Sequence, residues 1–469
     1  MSYGTNAARR LASRGETPRG LLALGVLIGF SLLAGVHVSA QTRPHQHPPQ
    51  HPPGEEQQTP MPDHATMAMG NSGPLEIGDS REGSGTAWQP DATPMYAVHL
   101  QRGAWTLMVH ENAFLQFIDE GGRRGDEQFG SINWAMGMAR RHVADGPLTL
   151  RAMMSLEPLT VGRCGYPNLL ASGEFCRGEP LHDRQHPHDL FMEVAASYKH
   201  ALSPSRAYEV YAAAAGEPAL GPVAYPHRAS AMANPLAPVA HHWLDSTHVS
   251  FGVLTAGLYQ RRWKIEGSVF NGREPDDDRY DIDLAALDSY SGRLWLMPND
   301  EWAIQVSAGH LRDAEQHDAG GEREDVDRVT ASVTYQRRLE SGANTVATTV
   351  AWGLNSESEA ATNAVLAEGS LTLRERHSVF ARAEVAQKTA DDLAVPHAGE
   401  ERFTVAKIEG GYVRHFSAWR SLVPGIGASV SVSAVPASLA AEYGHRASLG
   451  FSVFVNVRPA AMKGMGHSQ

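Results

Sequence analysis

From about residue 104 onward, apolar and polar residues alternate with a period of two. Leu449, Phe451 and Val453, for example, alternate with Gly450 and Ser452. Such alternation is typical of a β-strand with one apolar face. Many of the runs last about ten residues or more, which exceeds the usual strand of a soluble sheet and matches a strand that crosses a membrane.

The pattern predicts about sixteen antiparallel strands, an even number as in bacterial outer-membrane barrels. They are placed at 104–117, 129–140, 147–156, 188–200, 206–214, 247–259, 262–271, 285–297, 301–311, 326–338, 344–354, 364–374, 377–387, 402–414, 422–434 and 446–457. Short turns alternate with long loops, the longest at 157–187 and 215–246. The predicted fold is therefore all-β, a transmembrane antiparallel β-barrel with its long loops at the extracellular end.

The composition of the sequence divides the chain into four segments. Residues 1–40 read as a signal peptide, with basic residues before the apolar stretch Leu21 to Ala34 and a small-residue cleavage site, Val38-Ser39-Ala40; an uncleaved anchor helix is the alternative. Residues 41–94 are predicted to be a disordered tail, 95–458 the barrel, and 459–469 a polar C-terminal tail.

The tail is rich in Pro, His and Met. Its metal-binding side chains are His45, His47, His51, His64, Met61, Met67 and Met69. Imidazole and thioether together suit copper in both oxidation states. The alternative is an exported linker of biased composition, and the sequence leaves both open.

Export would place Cys164 and Cys176 in an oxidising compartment. Because they lie twelve residues apart in a Gly/Pro-containing loop, they are predicted to form a disulfide. Two thiolate metal ligands are the alternative.

The formal net charge is −12, with no basic excess, so nucleic acid is not an expected partner. The inward positions of the strands carry charges of both signs, which argues against a selectivity ring of one sign. Acidic runs such as 276–278 are interpreted as solvated loop tips, with a cation funnel as the alternative.

Candidate metal ligands form two groups, in the two longest loops and at the start of the strands that follow them. The first is His182, Asp183, His186, His188 and Asp189, and the second is His227, His241, His242 and His248. Neutral imidazole and carboxylate bind copper or zinc, and only one hairpin separates the two loops, so the groups can meet at the barrel mouth. The alternatives are a polar rim built on ion pairs and hydrogen bonds, and a catalytic cluster.

Several segments resemble a poorly characterised family of bacterial outer-membrane β-barrel, porin-like proteins. These segments are 181–193, 216–222, 241–248, 270–275 and 288–293. In its plan, a His/Met-rich tail before a barrel, the chain is similar to copper-resistance outer-membrane proteins. The resemblance implies a barrel in the bacterial outer membrane.

These observations favour a porin-like barrel that binds or passes divalent metal ions, copper or zinc, with metal resistance as a role. Its partners would be outer-membrane lipid, metal ions and periplasmic metal-handling proteins. One alternative is a lipid or lipopolysaccharide hydrolase that uses His248 beside Ser246 or Ser250. The sequence holds neither a Gly-x-Ser-x-Gly nor a His-Glu-x-x-His motif, so an enzyme is the weaker interpretation. A purely structural barrel is the third.

Overall fold

A computed structural model describes residues 73–316, 323–339, 343–357, 361–395 and 402–462. The predicted signal peptide, residues 41–72 of the predicted tail and residues 463–469 lie outside the described residues. The strands are β1 Val98–Arg102, β2 Trp105–Glu120, β3 Glu127–Val143, β4 Gly146–Met154, β5 Tyr166–Cys176, β6 Glu179–Gln185, β7 Phe191–Ser203, β8 Arg206–Gly216, β9 Ser250–Gln260, β10 Trp263–Phe270, β11 Ser289–Leu296, β12 Trp302–Gln316, β13 Arg323–Leu339, β14 Asn344–Ser356, β15 Ala361–Leu373, β16 His377–Thr389, β17 Arg402–His415, β18 Leu422–Ala434 and β19 Ala447–Pro459. The one-turn α-helices are α1 Glu157–Thr160, α2 His241–Leu244 and α3 Ala440–Tyr443.

Sixteen of these strands form a closed antiparallel barrel, which confirms the predicted fold class. Strand β19 pairs with the second half of β2, from Ala113 to Glu120, and closes the ring. Strand β1 forms a hairpin with the first half of β2. The hairpin β5–β6 forms a separate two-stranded sheet that packs against the inside of the barrel. Neither β1 nor this hairpin was among the predicted strands.

The wall of the barrel is polar inside and apolar outside. On β10, Lys264 and Glu266 are buried, whereas Ile265 and Val269 are 55% and 45% exposed. Other strands repeat this arrangement. In a soluble protein the apolar side chains would instead face the interior and the polar ones the solvent. The apolar exterior is therefore the surface that faces lipid, as the period-two pattern predicted.

The connections differ at the two ends of the barrel. At the end where β2 begins and β19 finishes, adjacent strands are joined by tight turns such as 144–145 and 204–205. At the other end the connections 155–190, 217–249 and 271–288 are long. By the usual asymmetry of such barrels, the long connections mark the extracellular end. Among the described residues, no helix is long and apolar enough to cross a membrane.

Residues 73–94 pack inside the barrel, so their assignment to the disordered tail is wrong. Arg81 is buried and donates a hydrogen bond to Asp91 at 2.7 Å. Trp88 is buried as well, with the Lys264 ammonium 5.1 Å from its ring centroid. The segment is ordered because its few large side chains find partners on the wall, and composition alone does not show such partners.

The connection 217–249 fills the lumen from the extracellular end. Its backbone donates hydrogen bonds to hydroxyls of the wall, from Ala219 to Ser268 at 2.7 Å and from Gly221 to Ser307 at 2.9 Å. Further along, the Asn234 amide donates to a Glu409 oxygen at 2.7 Å. The inward-facing polar residues of the wall thus hold the loop in place.

The predicted Cys164–Cys176 disulfide is present. It joins the start of the 155–190 connection to the end of β5, so it braces the hairpin β5–β6. This hairpin carries Gly173, where an added Cβ would lie 2.3 Å from Cε1 of His242.

Candidate metal centre in the lumen

Five imidazoles from two connections meet inside the barrel. His186 and His188 precede β7, His241 and His242 lie on α2, and His248 ends the 3₁₀ turn Ser246–His248. All five are buried. The ring-centroid distances are 5.2 Å for His188–His248 and His241–His248, 5.4 Å for His241–His242, 5.7 Å for His186–His242 and 5.8 Å for His186–His241.

Local backbone structure sets the positions of these rings. The extended residues around Pro187 carry His186 and His188 toward α2. Helix α2 ends where the Asp245 amide donates to the His241 carbonyl at 3.0 Å. The chain then turns, and the His248 amide donates to the Asp245 carbonyl at 3.1 Å. Two consecutive turns therefore place His241 and His248 side by side.

Every one of the five rings has its Nδ1 atom beside an oxygen acceptor. The partners are Glu174 Oε2 for His186 at 3.1 Å, Glu157 Oε2 for His188 at 3.1 Å, Asp245 Oδ1 for His241 at 2.8 Å, Glu274 Oε1 for His242 at 3.0 Å and the Asp245 carbonyl for His248 at 2.7 Å. Ionised carboxylates and carbonyls only accept, so the Nδ1 atoms beside them carry the proton. For His186 the acceptor is the Pro187 carbonyl at 3.3 Å, because burial raises the pKa of Glu174 to about 7. In the neutral ring, Nε2 then keeps its lone pair.

The Nε2 atoms are the open positions of this cluster. Those of His186, His241, His242 and His248 are buried and have no hydrogen-bond partner in the part of the chain that the structure describes. His188 differs, because its Nε2 accepts a hydrogen bond from the Tyr225 hydroxyl at 3.2 Å. Unpartnered buried acceptors are costly, and metal-binding histidines characteristically direct Nδ1–H to an oxygen and Nε2 to the ion.

Carboxylates extend the donor set on one side. His242, Glu274 and Glu315 each offer a ligand atom, and these atoms all lie within 4.8 Å of one another. Glu315 lies near the end of β12, and Glu274 on the connection 271–288. The arrangement could hold a metal ion through imidazole and carboxylate ligands together.

Burial keeps three of the rings neutral. It lowers the pKa of His241 to about 4 despite the neighbouring Asp245, and it lowers the pKa values of His186 and His248 well below the ordinary value. For His188 and His242 the effect of burial is outweighed, by Glu157 and Glu274 respectively, and their pKa values are raised. His186, His241 and His248 are thus unprotonated near neutral pH, as a metal ligand must be.

The structure does not bring all nine predicted site residues together. Five meet in the cluster described above, and four lie elsewhere. His182 has Nδ1 3.2 Å from the Asp392 carbonyl, Asp183 pairs with Arg124 at 2.6 Å, Asp189 lies 3.6 Å from Arg279, and the ring of His227 lies 4.7 Å from that of Trp134.

Sequence reasoning missed the carboxylates that position the rings. Glu157, Glu174 and Glu274 come from three different parts of the connections, and none lies within ten residues of the imidazole it contacts. Of these three carboxylates, only Glu274 could have been noticed in the sequence, because it falls in one of the segments that resemble outer-membrane barrels.

A closed barrel with an apolar exterior, a polar interior and long loops at one end defines a bacterial outer-membrane β-barrel of the porin-like class. The protein accordingly resides in the outer membrane. The class alone does not define a solute or a metal.

Solved structures similar to this chain are porins, at low sequence identity. An anion-selective porin from Comamonas acidovorans is 10% identical, with a TM-score of 0.47, over 76% of this chain and 99% of that one. OprB from Pseudomonas putida is 8% identical, with a TM-score of 0.46, over 75% and 94%. OmpF from Salmonella typhi, in complex with daunomycin, is 10% identical, with a TM-score of 0.45, over 77% and 100%. No protein-family model and no curated protein sequence matches the chain.

Proposed function

We propose that this protein is a plugged porin-like barrel that binds divalent ions of the copper or zinc class in its lumen and passes them across the outer membrane, with metal resistance as its role. The observation that carries the proposal is the set of four buried, unpartnered Nε2 atoms in rings whose Nδ1 atoms are all held by oxygens.

The ring centroids of the five imidazoles lie slightly farther apart than those of rings that share one ion. Zinc binds imidazole nitrogen at about 2.0–2.1 Å, so rings that share one tetrahedral ion through Nε2 have centroids about 5 Å apart. The observed separations run from 5.2 to 5.8 Å. Among the described residues, no three of the five imidazoles place ring nitrogens within 4.8 Å of one another, so binding one ion would require these rings to move closer together.

A purely structural cluster is the rival explanation. A structural histidine in a buried network uses both ring nitrogens, as His188 does with Glu157 and Tyr225. The other four rings use only Nδ1. An apolar core or a fully bonded network would be less costly than four buried ring nitrogens left without partners, so the arrangement favours ligand binding.

The hydrolase alternative finds no support in the geometry. The Ser246 hydroxyl accepts a hydrogen bond from Arg328 at 2.9 Å, and that of Ser250 donates to the Thr247 carbonyl at 3.0 Å. His248 directs Nδ1 to the Asp245 carbonyl. An activated nucleophile needs a base within hydrogen-bond reach, and neither serine is bonded to His248.

An open diffusion pore is also disfavoured, because polypeptide enters the lumen from both ends. Residues 73–94 are anchored to the wall by Arg151, which donates to the Gly85 carbonyl at 2.5 Å. The connection 217–249 is anchored by Arg228, which pairs with Glu368 at 2.7 Å. Reconstituted protein should therefore show small conductance, unlike a general porin.

The experiment is calorimetric titration of Zn²⁺ and Cu²⁺ into a barrel that begins at residue 73. This truncation removes His45, His47 and His51, which could bind metal themselves, and keeps the segment that packs in the lumen. The expected result is binding that His186→Ala/His241→Ala weakens at least 100-fold. The control is His182→Ala, from the same sequence stretch but outside the cluster. Absence of binding by a barrel that is folded, as judged by heat-modifiable migration, would refute the proposal.

A further inference from the structure

Apart from the five-imidazole cluster, a cavity lies in the periplasmic half of the lumen, between residues 79–96 and the wall. Its volume is about 90 Å³. The side chains that distinguish it are Met95, Met108, Met136, Met138, Met232, His99, His110 and His227. We refer to this cavity, with its five thioethers and three imidazoles, as the methionine chamber.

The pairing of neighbouring strands places the sulfur-containing side chains on one face of the methionine chamber. Met108 lies opposite Met138, and His110 lies opposite Met136, on the paired strands β2 and β3. Met136 in turn lies opposite Met153 on β4. Residues directly opposite in an antiparallel pair share one face of the sheet, so these side chains form a continuous patch. Inward positions of such barrels are ordinarily polar, and thioethers are exceptional there.

The imidazoles complete the patch from the lumen side. The ring of His227, on the connection 217–249, lies 5.8 Å from that of His110 on the wall. Trp134 contacts both, at 4.8 Å from His110 and 4.7 Å from His227. Side chains of two independent elements, the wall and the plugging loop, therefore converge on one cavity.

We propose that the methionine chamber is a second metal site, specific for a soft monovalent ion, Cu(I), with Ag(I) as its redox-inert analogue. The ligands would be the thioethers of Met108, Met136 and Met138 with the imidazole of His110 or His227. Thioether sulfur selects Cu(I) over zinc and other harder ions. The site does not depend on the five-imidazole cluster, since its ligands, its place in the lumen and its ion are all different.

A small gap lies between the two sites. It is lined by Met153, Met192, His227 and His248. His227 also lines the methionine chamber, and His248 belongs to the five-imidazole cluster. Side chains with sulfur or nitrogen donor atoms thus extend from one site to the other, and the chamber would bind a monovalent ion in the periplasmic half of the lumen.

Packing is the competing explanation, because Met136, Met153 and Met192 also belong to a buried apolar cluster around Trp134. Replacing Met with Leu separates the two roles. Leu nearly conserves volume and costs little in packing, whereas it removes the sulfur. The matched control is Met154→Leu/Met297→Leu, because Met154 faces outward and Met297 packs in a different cluster.

The test measures how many Ag(I) ions the mature full-length protein binds, by native mass spectrometry in detergent. We expect Met108→Leu/Met136→Leu/Met138→Leu to bind one Ag(I) fewer per chain than the wild type, and the control variant to bind the wild-type number. Because the N-terminal tail is the same in all variants, its own sites cancel. Equal Ag(I) numbers for the triple variant and the wild type, with a folded barrel, would overturn the proposal.

Two cross-measurements separate this site from the five-imidazole cluster. The triple Met variant should keep its Zn²⁺ affinity, whereas His186→Ala/His241→Ala should keep its Ag(I) number. Loss of Ag(I) in the histidine variant would place the soft ion in the five-imidazole cluster and contradict the chamber. Peroxide footprinting adds a site-specific reading, since bound Ag(I) should protect Met108, Met136 and Met138 from sulfoxide formation and leave Met154 unprotected.

Discussion

Nδ1 of His241 lies 2.8 Å from Oδ1 of Asp245, with both residues buried. The other oxygen of this carboxylate accepts hydrogen bonds from Arg228 at 2.5 Å and from the Tyr225 amide at 2.8 Å. Arg228 in turn pairs with Glu368 on the wall. One carboxylate therefore orients a candidate metal ligand and also anchors the loop that carries it.

Replacing Asp245 with Asn should disturb both roles. The amide nitrogen would face either Nδ1–H of His241 or the Arg228 guanidinium, both of which are donors. Removing one partner of a buried ion pair typically costs about 3–5 kcal/mol. We expect limited proteolysis to cleave the 217–249 connection faster in Asp245→Asn, and metal affinity to fall about 10–100-fold.

The control for this prediction is Asp278→Asn, an exposed carboxylate on the neighbouring connection 271–288 that is not part of either group able to hold a metal ion. It should leave cleavage and affinity unchanged. If Asp245→Asn resists protease as the wild type does, Asp245 does not anchor the loop.

Gly173 makes room for His242. A Cβ at this position would lie 2.3 Å from Cε1 of His242, and the residue has a φ of +108°, which L side chains rarely adopt. Gly173→Ala should therefore displace His242 and weaken metal binding. Gly178→Ala is the matched control, because it lies on the same hairpin with a φ of +77° and has nothing within 4 Å of its Cβ. Equal affinities for the two variants in calorimetry would argue against a role for His242.

Glu217 makes the stability of the plugged lumen depend on pH. Burial raises its pKa to about 7, although Arg293 lies 3.3 Å away. The folded state therefore holds this proton above the pH at which the unfolded chain loses it, and stability falls as pH rises from about 4.5 through about 7. Since one pKa unit is worth about 1.36 kcal/mol, ionised Glu217 costs the folded state about 3 kcal/mol at pH 8.

Glu217→Gln cannot ionise, so its melting temperature should fall less than that of the wild type between pH 5 and pH 8. Glu179→Gln, at an exposed position on the hairpin, serves as the control and should follow the wild type. If the melting temperatures of all three proteins change equally with pH, the ionisation of Glu217 does not destabilise the folded state.

The disulfide should stabilise the hairpin β5–β6 but not the barrel. Closing a loop of this length is worth about 3 kcal/mol in the chain-entropy model. In Cys164→Ser/Cys176→Ser, trypsin should cleave faster at the exposed Arg177, while the barrel keeps its heat-modifiable migration. Wild-type protein treated with a thiol reductant should behave like the variant. Unchanged cleavage at Arg177 would mean that contacts with the rest of the lumen suffice to hold the hairpin.

All sixteen barrel strands could be predicted from the sequence, because one physical cause produces the pattern. Lipid outside and a polar lumen inside force alternation on every strand, as Lys264 and Ile265 show on β10. The same pattern could not predict β1 or residues 73–94. Their order depends on Arg81, Trp88 and their partners on the wall, which lie far away in sequence.

The candidate site was only partly predictable for a related reason. Clustered imidazoles in two neighbouring loops indicated that His186 and His188 could meet His241, and the structure brings these rings together. It could not be foreseen that Asp183 pairs with Arg124, since Arg124 lies on a different connection. Contacts between connections are set by how the loops fold into the lumen, and local pattern does not record them.

The central claim is that imidazole nitrogens in the lumen bind a metal ion. Zinc K-edge X-ray absorption of the barrel beginning at residue 73, loaded with one equivalent of Zn²⁺, tests it most directly. The predicted spectrum shows a four-coordinate shell with Zn–N distances of about 2.0–2.1 Å and the outer-shell scattering of at least three imidazoles. An oxygen-only shell, or zinc that separates from the folded barrel on gel filtration, would contradict the account.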